Sequence, residues 1–204
     1  MILFDGCSWT YGDELENREQ DAFPHVVSRM GLMREGITRD HVNLGQCGKS
    51  NDGILRTTLD YCEKHPVDIA VIQFTLISRR EIMRETGNKY DHITPHGKDN
   101  ISIEYFKNLH TRQDDCANYY KNKFILEQYF KSKNIKYYFV DLTKPKDALD
   151  FQNSTWYDLC DKKPLTSLKS IIGRMRTNPE NYVTGHPNKR GHELIAKHIY
   201  ENIF

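Results

Sequence analysis

The amino-acid sequence predicts an α/β protein, folded as a three-layer α/β/α sandwich around a parallel sheet of four to five strands. Short apolar runs alternate along the chain with longer amphipathic stretches. Strands separated by helices need crossover connections, and these connections produce a parallel sheet. The run DIAVIQF at 68–74 is short, β-branched and apolar on both faces, as a central parallel strand is. A length of 204 residues is enough for one domain, predicted over 1–204, and short for two.

The remaining elements follow from apolar spacing and from turn residues. Strands are predicted over 1–4, which ends at Asp5-Gly6, over 41–44, which ends at Gly45, and over 68–74 and 136–142. Helices are predicted over 21–31, 54–64, 113–133 and 188–203, the first closed by Gly31 and the second capped by Asn51 or Asp52. The polar stretches 82–112 and 143–180 are predicted as irregular insertions at the rim of the sheet.

Composition and charge exclude several function classes. The 29 Lys and Arg nearly balance the 28 Asp and Glu, so neither nucleic acid nor an anionic membrane is predicted as a partner. No apolar run approaches the roughly 20 residues that span a bilayer. The N-terminus carries no basic segment followed by a long apolar stretch, so we expect a cytoplasmic protein. The 5 cysteines are scattered without a CxxC pair, which indicates free thiols; no metal or cofactor is predicted.

The first candidate site segment is Gly-Cys-Ser-Trp-Thr-Tyr-Gly at 6–12, directly after the first predicted strand. In an open parallel sheet, sites form at the carboxyl ends of the strands. A serine in a glycine-flanked turn can be held exposed, with backbone amides nearby to stabilise an oxyanion. The alternative is that Ser8 only caps the following helix, and residue type alone favours the cap.

The second segment, 43–53, contains Gly48-Lys49-Ser50 ahead of a predicted helix. This pattern suggests a phosphate-binding P-loop, with Lys49 and Ser50 as ligands of a nucleotide. The P-loop motif needs a further glycine five residues before Gly48, and Asn43 stands there. A nucleotide enzyme is therefore the third-ranked hypothesis.

The third segment, 185–192, precedes the last predicted helix and carries two histidines. His186 lies between Gly185 and Pro187, which fix its backbone, whereas His192 falls inside the helix and is expected to pack there. Histidines six positions apart do not share a helical face, so a metal pair is not predicted. His186 is the better candidate for a base.

Taken in order, these segments resemble the SGNH (GDSL-like) hydrolase family across nearly the whole chain. The family block G-D-S-x-T-x-G matches 6–12, with Cys7 in place of the aspartate. The family block D-x-x-H-P ends at His186-Pro187, with Val183 at the aspartate position. The resemblance implies a flavodoxin-like sheet, Ser8 as nucleophile and His186 as its base.

The resemblance also implies three donors to an oxyanion. These are the backbone amides of Ser8 and Gly48, and Thr75, which stands where the family block G-x-N-D has its asparagine. Because Val183 is not a carboxylate, another group must orient His186. Asp141, at the end of the fourth predicted strand, is favoured over Asp13, Glu180 or a backbone carbonyl.

The run Phe-Thr-Leu-Ile-Ser-Arg-Arg-Glu at 74–81 is similar to a W-T-x-x-x-R-x-E segment of uncharacterised SGNH-like proteins encoded by bacteriophages. That group also matches GCSWTYGDEL, and it would place the protein in a host cytoplasm. Arg79 is predicted to contact an anionic or sugar-like substrate, together with Tyr11 and Asn51 beside the other two motifs. The alternative is that Arg79 pairs with a carboxylate and stiffens the loop.

These expectations combine into a serine esterase that cleaves a carboxylic ester through an acyl-Ser8 intermediate. O-acetyl groups on a carbohydrate are the suggested substrate. The alternative is a catalytically impaired protein on the same scaffold, which binds a carbohydrate or a nucleotide. A distance above about 4 Å between Ser8 Oγ and the His186 ring nitrogens, with no carboxylate behind the ring, would favour this alternative.

Overall fold

The computed structural model describes residues 1–37, 39–83, 90–142, 165–173, 179–181 and 185–204, with Trp156, Leu159 and Val183. The predicted insertion at 143–180 lies largely outside these residues. A parallel sheet of five strands has the order β2-β1-β3-β6-β7, which confirms the predicted flavodoxin-like arrangement. Its strands are β1 (Ile2–Asp5), β2 (His41–Asn43), β3 (Ile69–Phe74), β6 (Lys136–Asp141) and β7 (Thr166–Ser167), and a separate antiparallel hairpin is formed by β4 (Arg80–Met83) and β5 (Tyr90–Ile93).

Helices connect the strands and cover the sheet. They are α1 (Ser8–Tyr11), α2 (Arg18–Asp21), α3 (Phe23–Glu35), α4 (Asn51–Cys62), α5 (Asn100–Asn108), α6 (Arg112–Ser132), α7 (Leu168–Ile171) and α8 (Lys189–Ile203), with a 3-10 turn at Pro179–Asn181. Two predicted ends are wrong. Helix α3 passes through Gly31 and ends before Gly36. Gly36 has a φ of 68°, a left-handed conformation that glycine adopts readily at the end of a helix. Helix α4 is capped by Ser50, whose hydroxyl accepts from the Gly53 amide.

Apolar side chains on the two faces of the sheet form two cores, which confirms the three-layer sandwich. On one face, β1, β3 and β6 pack against α3, α7 and α8; on the other face they pack against α4 and α6. The alternation along β1 is direct: Ile2 and Phe4 belong to the first core and Leu3 to the second. All six residues of β3 are buried, as the uniformly apolar run predicted. In the described part of the chain, no helix is both long and apolar enough to cross a bilayer.

The described residues of 82–112, which leave out 84–89, are largely in regular elements, so the prediction of an irregular stretch is wrong there. They contain the second half of the hairpin and the whole of α5. The hairpin strands are only four residues long, so they show no clear period of two, and ion pairs tie them to α4 and α6. Glu81 accepts two hydrogen bonds from Arg56 of α4, each 2.8 Å long. Arg80 donates to the Tyr105 hydroxyl and to the carboxylates of Asp114 and Asp115.

Candidate active site

Ser8 and His186 meet at the rim formed by the carboxyl ends of the strands. Ser8 Oγ lies 2.9 Å from His186 Nε2, although the residues are 178 positions apart. The hypothesis that Ser8 caps α1 is wrong, because Cys7 is the N-cap residue and Ser8 is the first residue of the helix. A hydroxyl in this contact can pass its proton to the imidazole as it attacks a carbon atom.

Gln73 holds the turn that carries Ser8. Its Oε1 accepts from the Cys7 amide at 3.1 Å and from the Thr10 hydroxyl at 2.9 Å, and its Nε2 donates to the Phe74 carbonyl. Gly6 is required beside it, because a Cβ there would lie 2.2 Å from Thr10 Oγ1 and 2.7 Å from Gln73 Oε1. Gln73 was not predicted from the sequence. Its signal was a single polar side chain inside an apolar central strand.

The other side of the turn is fixed by Asn43, the last residue of β2. Its Nδ2 donates to the Thr10 carbonyl, and its Oδ1 accepts from the Gly45 amide, both at 2.9 Å. Gly45 packs so closely against α1 that a Cβ would lie 2.5 Å from the Tyr11 nitrogen. The loop after β2 and the turn after β1 are therefore one unit.

Two backbone amides, one in the turn after β1 and one in the loop after β2, stand at the positions that the family resemblance marks for the oxyanion. Within the described residues, the N–H groups of Ser8 and Gly48 donate no hydrogen bond. Ser8 stands at the N-terminus of α1, where amides are unpaired by the geometry of a helix. Gly48 has a φ of 75°, which a glycine adopts without strain. Free amides at these two positions can donate to a developing oxyanion.

Lys49 does not act as a phosphate ligand of a P-loop, so that hypothesis is wrong. Its ammonium group is buried and donates to Asp5 Oδ1 at 2.5 Å and to the Leu44 carbonyl at 2.8 Å. Burial raises the pKa of Asp5, and Lys49 partly offsets that rise. Thr57 and Thr58 of α4 donate to the second carboxylate oxygen. The pair ties the loop after β2 to the end of β1.

Thr75 follows β3, and its backbone is held by Asn51. The Thr75 amide donates to Asn51 Oδ1 at 2.9 Å, and Asn51 Nδ2 reaches the Thr75 carbonyl at 3.5 Å. Asn51 is 1% exposed, so the prediction that it binds substrate is wrong; its amide group positions Thr75 instead. The Thr75 hydroxyl accepts from Arg79 Nη1 at 3.0 Å, which leaves the hydroxyl proton free to be donated elsewhere.

Arg79 makes no carboxylate pair among the described residues, and the alternative of a loop-stiffening ion pair stays a prediction. The neighbouring Glu81 pairs with Arg56 instead. Arg79 Nε is buried, and no described group bonds to it. The guanidinium therefore places a positive charge beside Thr75, and its contact with substrate stays a prediction.

The segment that carries His186 is anchored on both sides. The Val183 amide donates to the His186 carbonyl, and the Asn188 amide donates to the Asn181 carbonyl. Asn188 also caps α8, because its Oδ1 accepts from the Gly191 amide at 3.1 Å. These bonds fix the imidazole at the start of α8. Val183, at the aspartate position of the family block, has an exposed side chain.

The carboxylates near His186 are not the one that was predicted. Among the described residues, those within 4 Å of the ring are Glu14, whose Oε2 is 3.3 Å from Nδ1, and Asp13, whose Oδ2 is 3.7 Å from Nε2. The predicted role of Asp141 is therefore wrong, as is that of Glu180, which pairs with Arg190. Asp13 was among the alternatives predicted from the sequence, whereas Glu14 was not predicted. No motif marks Glu14, because its reach depends on the conformation of a loop.

Asp141 is buried on the other side of the sheet. Its Oδ1 accepts from the Tyr119 hydroxyl at 2.7 Å. Burial raises the pKa of Asp141 to about 7, against the opposing effects of Tyr119 and Lys123. The end of β6 thus points this carboxyl toward α6, because side chains alternate between the faces of a sheet.

His192 packs inside the protein, as predicted. Its ring stacks on Phe23, with centroids 6.0 Å apart, and its Nδ1 accepts from the Phe23 amide at 3.1 Å. Burial lowers the pKa of His192 to about 3, so the ring is neutral at pH 7. It joins α3 to α8 and leaves His186 as the histidine at the rim.

Tyr11 lines a cavity of about 340 Å³ on the β2 side of α1. Arg18 lies over the Tyr11 ring, 4.0 Å from its centroid, and His25 and His41 form the far wall. Neither Ser8 nor His186 lines this cavity. Substrate binding by Tyr11 stays a prediction. Over the described residues, no group of three or more His, Cys, Asp or Glu could hold a metal ion.

Solved esterase structures share this architecture, although no family model and no curated protein matches the chain. A lipolytic protein of the G-D-S-L family from Desulfitobacterium hafniense is 13% identical, with a TM-score of 0.56 over 98% of each chain. A psychrotrophic esterase from Pseudoalteromonas sp., inhibited by monoethylphosphonate, is 13% identical, with a TM-score of 0.62 over 99% of this chain and 95% of its own. A two-domain esterase active on acetylated mannans is 18% identical, with a TM-score of 0.55 over 99% of this chain and 47% of its own. The chain therefore has the fold of the SGNH (GDSL-like) hydrolases.

Proposed function

We propose that the protein is a serine esterase that cleaves a carboxylic ester through an acyl-Ser8 intermediate. The observation that carries the proposal is the 2.9 Å contact between Ser8 Oγ and His186 Nε2. The proposal is further supported by the amides of Ser8 and Gly48, for which the described residues offer no acceptor, because acyl transfer also needs donors to an oxyanion.

In the acylation half, Ser8 Oγ forms a bond to the ester carbonyl carbon while His186 Nε2 takes the hydroxyl proton. The amides of Ser8 and Gly48 donate to the oxyanion of the tetrahedral intermediate. Thr75 can supply a third donor, since its hydroxyl accepts from Arg79 and keeps its own proton for another acceptor. The intermediate collapses when the bond to the alcohol oxygen breaks and His186 returns the proton to that oxygen.

In the deacylation half, water takes the place of the alcohol. His186 Nε2 removes a proton from water as its oxygen attacks the acyl carbon, and the same amides hold the second oxyanion. Collapse of this intermediate breaks the bond to Ser8 Oγ, releases the carboxylic acid and returns the proton to Ser8.

For the substrate, we infer a small acyl ester, with O-acetyl groups on a carbohydrate as the first class to test. The support is the fold shared with an esterase active on acetylated mannans. The positive charge of Arg79 beside Thr75 further suggests an anionic or strongly polar alcohol portion.

The binding-protein hypothesis predicts a different geometry. It expects Ser8 Oγ and the imidazole to be more than about 4 Å apart, with no carboxylate behind the ring. In the structure, Ser8 Oγ lies 2.9 Å from His186 Nε2, and Glu14 Oε2 lies 3.3 Å from Nδ1. This geometry favours acyl transfer over binding without chemistry.

Hydrolysis of p-nitrophenyl acetate and labelling by a fluorophosphonate test the proposal. Ser8→Ala should lower kcat/KM by at least about a thousandfold and abolish labelling, because the acyl acceptor is lost. Ser132→Ala is the matched control; this exposed serine at the end of α6 bonds the Tyr129 carbonyl and should leave both readouts unchanged. Equal activity of the Ser8→Ala variant and the wild-type protein, or no activity and no label in either, would reject the esterase.

A further inference from the structure

We propose that Glu14 is the positioning carboxylate of His186, supplied from the turn after α1. The proposal rests on the esterase function and names a residue that its motifs do not include. Glu14 Oε2 lies 3.3 Å from His186 Nδ1 and 3.5 Å from the Gly185 amide. Its side chain is 31% exposed, so the carboxylate is partly shielded from water.

The protons on the imidazole call for an acceptor at Nδ1. Nε2 can accept the Ser8 proton only when it carries none, so the neutral ring must hold its proton on Nδ1. Nδ1 is buried, and no described group satisfies it in full hydrogen-bond geometry. A buried N–H needs an acceptor, and Glu14 Oε2 is a charged oxygen at ion-pair distance from it. Catalytic hydrogen bonds are often long or poorly aligned before substrate binds, and they tighten in the complex.

The backbone of Glu14 has an unusual conformation for a residue other than glycine. Its φ is 67°, a left-handed conformation that a glutamate adopts at a cost in energy. Such outliers persist when the surrounding structure fixes them, and they are concentrated at functional sites. From this conformation, the Glu14 side chain reaches the ring of His186.

Asp13, the other described carboxylate near the ring, lies at a different nitrogen from Glu14. Asp13 Oδ2 is 3.7 Å from Nε2, on the side of the ring that must face Ser8. A carboxylate on that side stabilises charge on the ring but cannot hold the proton on Nδ1. Comparing variants of the two residues therefore separates an effect on the position of the imidazole proton from a general effect of negative charge.

The test compares Glu14→Gln with Asp13→Asn in the full-length protein. Each substitution removes one charge at nearly constant size. Glu14→Gln should lower kcat about a hundredfold with KM changed less than about threefold, because the glutamine amide can donate to Nδ1 and favour the wrong tautomer. Asp13→Asn should lower kcat less than about fivefold. Glu14→Asp keeps the charge and should recover part of the loss.

A spectroscopic measurement makes the result independent of turnover. Long-range ¹H–¹⁵N correlations of the His186 ring, assigned with a His186→Asn variant, report which nitrogen carries the proton at pH 8. The wild-type and Asp13→Asn proteins should show the Nδ1–H tautomer, and Glu14→Gln should shift the ring toward Nε2–H. If the wild-type protein hydrolyses no ester, the proposed esterase function is rejected. The tautomer measurement still tests whether Glu14 holds the proton on Nδ1. An unchanged tautomer in Glu14→Gln, or equal kcat losses in both charge variants of an active enzyme, would overturn the proposal.

Discussion

Thr75 stands where the family block has an asparagine, and a hydroxyl offers one proton to an oxyanion. Its partner Arg79 donates to Thr75 Oγ1 at 3.0 Å, which leaves that proton available. Thr75→Val keeps the shape and removes the donor, so kcat should fall about 10- to 100-fold with little change in KM, since losing one oxyanion donor costs up to a few kcal/mol. Steady-state kinetics check this, with Thr75→Ser as the matched control. A Thr75→Val variant as fast as Thr75→Ser would remove Thr75 from the site.

The left-handed backbone conformation of Glu14 favours residue types other than glutamate, which gives a prediction about stability. Asparagine tolerates a φ of 67° better than glutamate does. Glu14→Asn should therefore lose activity while its free energy of unfolding equals or exceeds that of the wild-type protein by up to about 1 kcal/mol. Urea unfolding checks the second part. A parallel fall in stability and activity would indicate a structural role instead.

Some residues of the candidate site were predicted from the sequence, and others were not. The motif order indicated the Ser8–His186 pair, and the structure places the two side chains in contact. Glu14 and Gln73 were missed, because their contacts depend on a loop conformation and on strand neighbours that lie far apart in the sequence. Asp141 was assigned to the wrong side of the sheet, since a strand end fixes the rim but not the face.

At the scale of elements, α1 is held between the loop after β2 and the end of β3. Gly45 contacts α1 directly, so Gly45→Ala must push the helix away: the added Cβ would lie 2.5 Å from the Tyr11 nitrogen and 2.8 Å from the Thr10 carbonyl carbon. We expect a loss of about 1–3 kcal/mol in the free energy of unfolding, together with a fall in kcat, because Ser8 moves with α1.

The matched control is Gly185→Ala, whose Cβ would meet nothing within 4 Å. Its free energy of unfolding should stay within about 0.5 kcal/mol of the wild-type value. Urea unfolding of the two variants checks the pair. Equal stabilities would show that α1 adapts to the added methyl group.

The elements themselves were predicted best where the pattern is long or uniform. The buried run of β3 and the amphipathic α8 gave clear signals. The hairpin of β4 and β5 was missed, because its strands are short and are held by Arg56–Glu81 rather than by an apolar face. The end of α3 was placed too early at Gly31, because packing against α8 stabilises the helix past a glycine.

At the scale of the whole molecule, two buried groups should make stability depend on pH in opposite directions. The pKa of Asp141 is raised to about 7, so between about pH 4 and 7 the native protein holds a proton that the unfolded chain has lost, and stability falls as pH rises. The pKa of His192 is lowered to about 3, so below about pH 6.5 the unfolded chain binds a proton that the native protein does not, and stability falls as pH falls.

Each group contributes a slope of about 1.4 kcal/mol per pH unit, and the two slopes oppose each other between about pH 4 and 6.5. Asp141→Asn removes one of them and keeps an acceptor for Tyr119. The variant should therefore lose stability more steeply than the wild-type protein as pH is lowered from 6.5 to 4. Urea unfolding at several pH values checks this. Parallel curves would show that Asp141 is ionised in the native protein throughout that range.

The central claim is that Ser8, His186 and the amides of Ser8 and Gly48 act as one acyl-transfer site. A crystal structure of the protein after reaction with an alkyl fluorophosphonate tests it most directly, because the phosphonate imitates the tetrahedral intermediate. We expect phosphorus bonded to Ser8 Oγ, with its phosphoryl oxygen within about 3.1 Å of both amide nitrogens. An unmodified Ser8, or a phosphoryl oxygen turned away from both amides, would contradict the account.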